Sequence, residues 1–304
     1  MIRLVTPLFL ISFLLSSCYN QHDPWKQQMQ YQNQSNEAFN DYWYQGKAEL
    51  SSYELNQYRY GEKREGEAVL VFVTEDFLTQ AQVKKEQESE RPSTTVLKLN
   101  ALRKFTTGIY DYSIMTSAFT PVRQNKLSMP LKVTGSMQEW CGHSWMQLNE
   151  RSTGYELANF SYFQDPGDLK MVIQAPLLED GLWNQLRLNP NEIPLGEQSM
   201  VPSSTFFKLY RKPIQAYQAN LTINSDSSKD ISILKIDYPS LGRSLKIFYQ
   251  TSFPHSIQRW EETYIRNGKK ERSTASLKKR IRTAYWNQNK PADSTYRTLL
   301  FPDH

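Results

Sequence analysis

The chain holds two cysteines and four histidines in 304 residues, so thiol, imidazole and zinc chemistry have few side chains to draw on. It has no Gly-rich phosphate loop, no Gly-x-Ser-x-Gly elbow and no His-Glu-x-x-His pair. Those absences remove the common signatures of nucleotide binding, serine hydrolysis and zinc peptidases. The most apolar stretch, residues 4–15, falls short of the ~20 residues a membrane helix needs. A large charge excess is missing too: 36 basic against 31 acidic residues leave +5. So small an excess is screened within about 10 Å at moderate salt and gives no reason to expect a nucleic-acid partner. What is abundant is aromatic: 13% of the chain, with 18 tyrosines. Tyr and Trp suit strands and half-wet surfaces, including grooves for lipids or sugars.

The first residues, MIRLVTPLFLISFLLSSC, place Arg3 before the apolar stretch and two small serines before Cys18. This is the layout of a secretory signal. Leu15-Ser16-Ser17-Cys18 resembles the lipobox of bacterial lipoproteins, which implies a diacylglyceryl group on the Cys18 thiol and removal of residues 1–17. One acyl chain binds a membrane reversibly; two or more hold it stably, at roughly 0.8 kcal/mol per buried methylene. Tyr19 follows where inner-membrane retention would call for aspartate, so the expected location is the outer membrane of a Gram-negative envelope. Residues 18–38 form the lipidated cysteine and a Gln/Asn-rich polar tether, with Asp23-Pro24 as a helix start. With Cys18 acylated, Cys141 has no disulfide partner in the chain, and a lone exported thiol is expected to be buried.

The body, residues 39–304, reads as mostly β. Phe39, Tyr42 and Trp43 follow helical spacing and would dock the end of the tether. Two strands then form around a turn containing Gly61 and Gly66. In the second, Val69, Val71 and Val73 alternate with Leu70 and Phe72, which predicts a central strand covered on both faces. Strands continue on either side of Thr107-Gly108 and through LKVTGSMQEWCGHSWMQLNER and GYELANFSYF, taken as one hairpin. PLLEDGLWNQLRLNP is the one strong helix: Pro176 at its start, Leu178, Leu182 and Leu186 as its stripe, Gly181 interrupting, Asn189-Pro190 as its end. The β texture resumes from FFKLYRKPIQAYQANLTIN onward, and in RSLKIFYQ Leu245, Ile247 and Tyr249 share a face. An antiparallel meander follows, as a curved sheet, an incomplete barrel, or two sub-sheets divided near residues 176–200. By pattern it is analogous to periplasmic lipoprotein-carrier folds, in which a curved sheet wraps a helix.

GKAELSSYELNQYRYG, EAVLVFVTEDF, YSIMTSAFTPV, QEWCGHSWMQLN and LLEDGLWNQLRLNP together resemble an uncharacterised lipoprotein family of Bacteroidota-type bacteria. Members have been labelled septum formation inhibitor Maf. Maf proteins are cytoplasmic pyrophosphatases with a phosphate loop near the start; a lipobox stands in its place here, so the label is a misnomer. The resemblance implies an envelope lipoprotein and carries no activity.

The densest candidate chemistry is EWCGHSW. On one continuous strand Glu139, Cys141, His143 and Trp145 share a face, but i and i+2 side chains lie roughly 6.5–7 Å apart, too far for a nucleophile–base bond without a bulge at Gly142. Cys141 and His143 would supply two of the four ligands of a structural zinc site, with His255 the remaining histidine able to join. The reading adopted is a half-buried strand with a packed cysteine; Cys141, His143 and Glu139 stay as candidates for thiol- or metal-dependent catalysis, with no cofactor or metal expected. Lys278, Arg280 and Arg282 would line one strand face, solvated or binding an anionic ligand. The function expected first is non-catalytic binding of a lipid, a glycan or another apolar-edged molecule on a concave aromatic sheet, with the Leu178–Leu186 helix packed over or inside it, which a filled sandwich without a concavity would rule out. The alternative is an assembly partner that docks an envelope protein through an open strand edge.

Overall fold

The computed structural model describes residues 37–301 except 124, 175 and 176. The signal, Cys18, nearly all of the tether, the Asp23-Pro24 helix start and Pro176 lie outside the described residues; the helix expected to open at Pro176 begins at Glu179, with Leu177 and Leu178 in a short strand before it.

Among the described residues sixteen strands form one sheet, β10-β11-β12-β13-β14-β15-β16-β1-β2-β4-β5-β6-β7-β8-β9, with β3 paired to β2. The N-terminal half comprises β1 (Ala48–Arg59), β2 (Glu62–Leu78), β3 (Val83–Lys84), β4 (Ser93–Thr107), β5 (Tyr110–Pro121), β6 (Lys132–Glu139), β7 (Gly142–Arg151), β8 (Gly154–Ser161) and β9 (Leu169–Ile173). The other half comprises β10 (Leu177–Leu178), β11 (Gly196–Val201), β12 (Tyr217–Asp226), β13 (Ile231–Tyr238), β14 (Arg243–Gln250), β15 (Ile257–Arg266) and β16 (Lys269–Thr283). All pairings are antiparallel except β10 with β11. The division expected near residues 176–200 does not split the sheet, because β16 pairs with β1 along nine residues and joins the halves. Its two ends, β9 and β10, are separated by residues 174–176 alone, yet they do not pair. The result is a strongly curved, unclosed barrel.

Among the described residues four α-helices accompany it: α1 (Glu37–Trp43), α2 (Glu179–Leu188), α3 (Ser204–Tyr210) and α4 (Ser294–Leu300). α1 docks by Phe39 and Trp43, both buried, as their spacing predicts. Val71 and Val73, on the outer face of β2, are covered by Leu300 of α4, while Leu70 and Phe72 enter the main core. β2 is therefore covered on both faces, as its apolar run requires.

Three sequence expectations change. The β1–β2 turn is only Tyr60-Gly61, and Gly66 lies within β2; a Cβ there would sit 2.1 Å from the Lys104 carbonyl oxygen of β4, so the strand needs a glycine for close approach. The segment STFFKLY is helix α3, not strand: the Ser203 hydroxyl accepts from Thr205 N–H, and Arg211 ends it in the left-handed region. The residues from Lys132 to Arg151 make a hairpin of their own, followed by β8.

Candidate functional site

EWCGHSW is a hairpin tip. Glu139 ends β6, Trp140 and Cys141 form the turn, and Gly142 opens β7 opposite Glu139. The two-residue turn restarts the alternation, so Glu139 falls on the inner face with Ser144 and Met146, while His143 falls on the outer face and is exposed. The alignment of carboxylate, thiol and imidazole expected of one strand is therefore absent. Cys141 is exposed, not packed. Its backbone N–H donates to the Glu139 carboxylate at 3.2 Å. A hydrogen bond to that carboxylate, and then its charge, push the thiol above its ordinary 9.0, with Arg211 acting weakly the other way. An activated nucleophile needs the opposite shift. Native Cys141 should react to completion with a maleimide at pH 7.5, more slowly than free cysteine, and Glu139→Gln should speed it. A rate above that of free cysteine would restore the nucleophile.

His255 cannot complete a metal site with this pair. It sits in the β14–β15 turn, and in an antiparallel meander that turn lies at the opposite end of the sheet from the β6–β7 tip. Its Nδ1 meets the Gln250 carbonyl at 3.3 Å, and burial lowers its pKa. Among the described residues no three His, Cys, Asp or Glu side chains come together as metal ligands.

The basic run also divides. A bulge between Ser52 and Tyr53 skips Lys278 in the β1–β16 register. Lys278 then reaches Glu54 at 3.8 Å on the wet side. Arg280 turns inward to Ser51 Oγ at 3.2 Å and the Ile257 carbonyl at 3.0 Å. Arg282 donates to the Tyr42 carbonyl and stacks over the Tyr42 ring, clamping α1. Two of the three cations thus hold the chain's own elements, and the expected anionic-ligand face is not a continuous surface.

The concave side carries the chemistry that sequence reading missed. All ten residues of α2 are buried, including Glu179, Asp180, Asn184, Gln185 and Arg187. Each of these five reaches a group outside the helix. Glu179 accepts from Arg243 twice, at 2.5 and 2.7 Å, and from Tyr238 at 2.7 Å. Arg243 Nε donates to Glu262 at 2.8 Å, and Arg103 reaches the same carboxylate at 3.7 Å. At the other end Arg187 bonds Glu49 twice, at 2.6 and 2.7 Å, and the Pro254 carbonyl at 2.9 Å. Burial opposes ionisation of Glu49, yet the Arg187 and Arg280 charges outweigh it and hold the carboxyl at about 2. Asn184 donates to the Leu97 and Ala118 carbonyls and to Thr120; Gln185 accepts from Ser128 N–H at 2.8 Å; Asp180 accepts from Ser204 N–H at 2.9 Å. Gly181 has its reason here: a Cβ would sit 2.4 Å from Pro130 Cδ.

This helix is a fixed plug. Moving it would unpair several buried charges at once, at a cost of several kcal/mol each. The void beside it, bounded by Glu179, Asp180, Trp183, Arg243 and Trp260, is about 20 Å³, room for one water. The concave aromatic face expected to take a lipid is filled by the chain itself.

The edge of the sheet is open instead. Among the described residues β9 pairs only with β8, and Met171 and Val172 are 44% and 51% exposed. Next to it Phe160 of β8 stacks on Trp145 of β7 at 5.7 Å, and Phe160, Trp140 and Tyr162 are also exposed. Comparison with family models, curated proteins and solved structures gives no match to the chain.

Proposed function

We propose that the chain is a lipid-anchored envelope protein, held through Cys18 in the outer membrane, with no catalytic role and with an extended segment of another envelope protein as its partner. The single observation that carries the reading is the edge of β9, unpaired among the described residues, with Met171 and Val172 exposed on it. Unpaired N–H and C=O groups along an edge are complementary to the backbone of an added strand. Proteins commonly blunt such edges with charge or cover; here one lysine, Lys170, stands among exposed apolar side chains. Because Met171 and Val172 fall on opposite faces of the strand, the partner should bring apolar residues at adjacent positions, one for each face. A lipid ligand on the concave face is the weaker reading, since a void of about 20 Å³ admits no acyl chain.

A photocrosslinking residue at Val172 should give a discrete adduct in cells. The same residue at Ser276, exposed on β16 and paired on both sides, to β1 and to β15, should give none, and adding Met171→Pro should remove the Val172 adduct. Equal yields at both positions would sink the reading. An adduct of twice the chain mass would replace the foreign partner by a second copy.

A further inference from the structure

Lys208 is a buried lysine with no counter-charge. It lies on α3, 6% exposed, and its Nζ makes one hydrogen bond, to Asn159 Oδ1 at 2.9 Å. Among the described residues no carboxylate pairs with it, and burial alone lowers its pKa to about 8. It is therefore charged at neutral pH, with spare donors inside the protein. Such a cation is costly unless something meets it.

The void it lines contains a second orphan. Ser144 Oγ, on a residue 3% exposed, has no hydrogen-bond partner among the described residues, and it lines the same space between α3, β7, β8 and the β8–β9 loop. Arg211, the C-cap of α3, stands exposed on the wall with its guanidinium 3.8 Å over the Phe163 ring. Asp165, the one carboxylate on the wall, is exposed. Two cations against one carboxylate leave a single positive charge. The deep space is about 10 Å³, enough for one oxygen atom or one water.

We propose that this pocket binds a singly charged oxyanion, a carboxylate or a phosphate diester, with one oxygen between Lys208 Nζ and the Ser144 hydroxyl and the remainder beside Arg211. The small depth requires the group to hang from a larger molecule that stays outside. A buried ammonium and hydroxyl give such an oxygen charge-assisted bonds in a low-dielectric setting. Water alone would satisfy the hydroxyl but leave the lysine charge uncompensated. The site adjoins the start of β9 through Asn159 and the β8–β9 loop, but its test does not depend on strand addition at the β9 edge.

The test is thermal unfolding of the full chain in detergent at constant ionic strength, titrated with acetate and with dimethyl phosphate, to separate the two oxyanion classes. The wild type should gain roughly 3 °C or more with at least one probe in excess over its dissociation constant. Lys208→Met should be flat to both probes, and it should unfold no lower than the wild type without them, because it deletes an unpaired buried charge while keeping the packing. Ser144→Ala, which disturbs the fold less, should shrink the response. A response to acetate assigns a carboxylate, a response to dimethyl phosphate a diester. No rise with either probe, or the same rise in wild type and Lys208→Met, overturns the site.

Discussion

Replacing Arg243 by methionine is expected to lower the free energy of unfolding by about 3–5 kcal/mol, the usual loss when one partner of a buried pair is removed. The side chain is 1% exposed and bonds two carboxylates, Glu179 and Glu262, themselves 1% and 5% exposed. Without the guanidinium those carboxylates face each other with no water to separate them. Arg103, at 3.7 Å from Glu262, compensates only one of them. Burial opposes ionisation of Glu262, but Arg243 and then Arg103 outweigh it and hold its pKa below the ordinary value, so its contribution is present above pH 4.5 and lost below. The defect in Arg243→Met should accordingly shrink as the medium is acidified and the stranded carboxylates take up protons. Denaturant titration at pH 7.5 is the measurement. A triple variant, Arg243→Met with Glu179→Gln and Glu262→Gln, should recover most of the loss, because the cost comes from uncompensated charge. A loss below about 1 kcal/mol would mean that water reaches the network and that α2 is not a sealed plug.

That network explains why the fold was more legible than the interior. Alternation along β2, β5 and β14 is local information: Leu245, Ile247 and Tyr249 share the buried face, as their spacing requires. The apolar run in β2 demanded cover on both sides, and Leu300 supplies one of them from the far end of the chain. The helix was legible from Leu182 and Leu186, both fully buried. Its polar residues were not, because the partner that makes a buried Glu179 tolerable is 64 positions away and nothing local announces the pairing. Helix α3 was missed because FFKLY has strand-like composition; Pro202-Ser203-Ser204 before it was the usable signal, an N-cap hydroxyl after a proline. The EWCGHSW tip was misread because Trp-Cys is not one of the dipeptides that mark a two-residue turn. That turn moves Glu139 to the inner face and leaves Cys141 in solvent. Lys208 stands in a segment read as strand and was not singled out; only the packing of α3 against β8 shows it buried, with no carboxylate to meet among the described residues.

Asp180→Asn should stabilise the protein at neutral pH, the reverse of what removing most buried charges does. Asp180 is 7% exposed. Burial pushes its carboxyl from the ordinary 3.8 to about 6; the Ser204 backbone N–H opposes this, and the neighbouring Glu179 adds to it. Arg243 is committed to Glu179 and Glu262 and gives Asp180 no hydrogen bond. A carboxyl whose pKa is raised by folding binds its proton more tightly in the native state. The unfolded chain therefore gains relative stability as pH rises from about 4 to about 6, and the penalty is constant above that. At about 1.4 kcal/mol per pH unit the span from 3.8 to about 6 amounts to roughly 3 kcal/mol. Asparagine keeps an oxygen to accept from Ser204 N–H at the same place. Its amide can be met by a water in the adjoining void of about 20 Å³, which Asp180 and Thr116 both line. The variant should thus exceed the wild type by roughly 3 kcal/mol at pH 7.5 and by only about 0.5 kcal/mol at pH 4, where Asp180 is protonated in the native state and about half protonated in the unfolded chain. Glu49 sets the opposing acid limb: its pKa of about 2 means that its contribution is full above pH 4.5 and lost as pH falls towards 2. That limb is common to both proteins and cancels in the difference. Denaturant titrations at half-unit steps between pH 4 and 7.5 give the curve directly. A difference that stays flat across that range, or an Asn variant less stable at pH 7.5, would show that Asp180 is ionised at no cost and that the void beside α2 is better solvated than its lining implies.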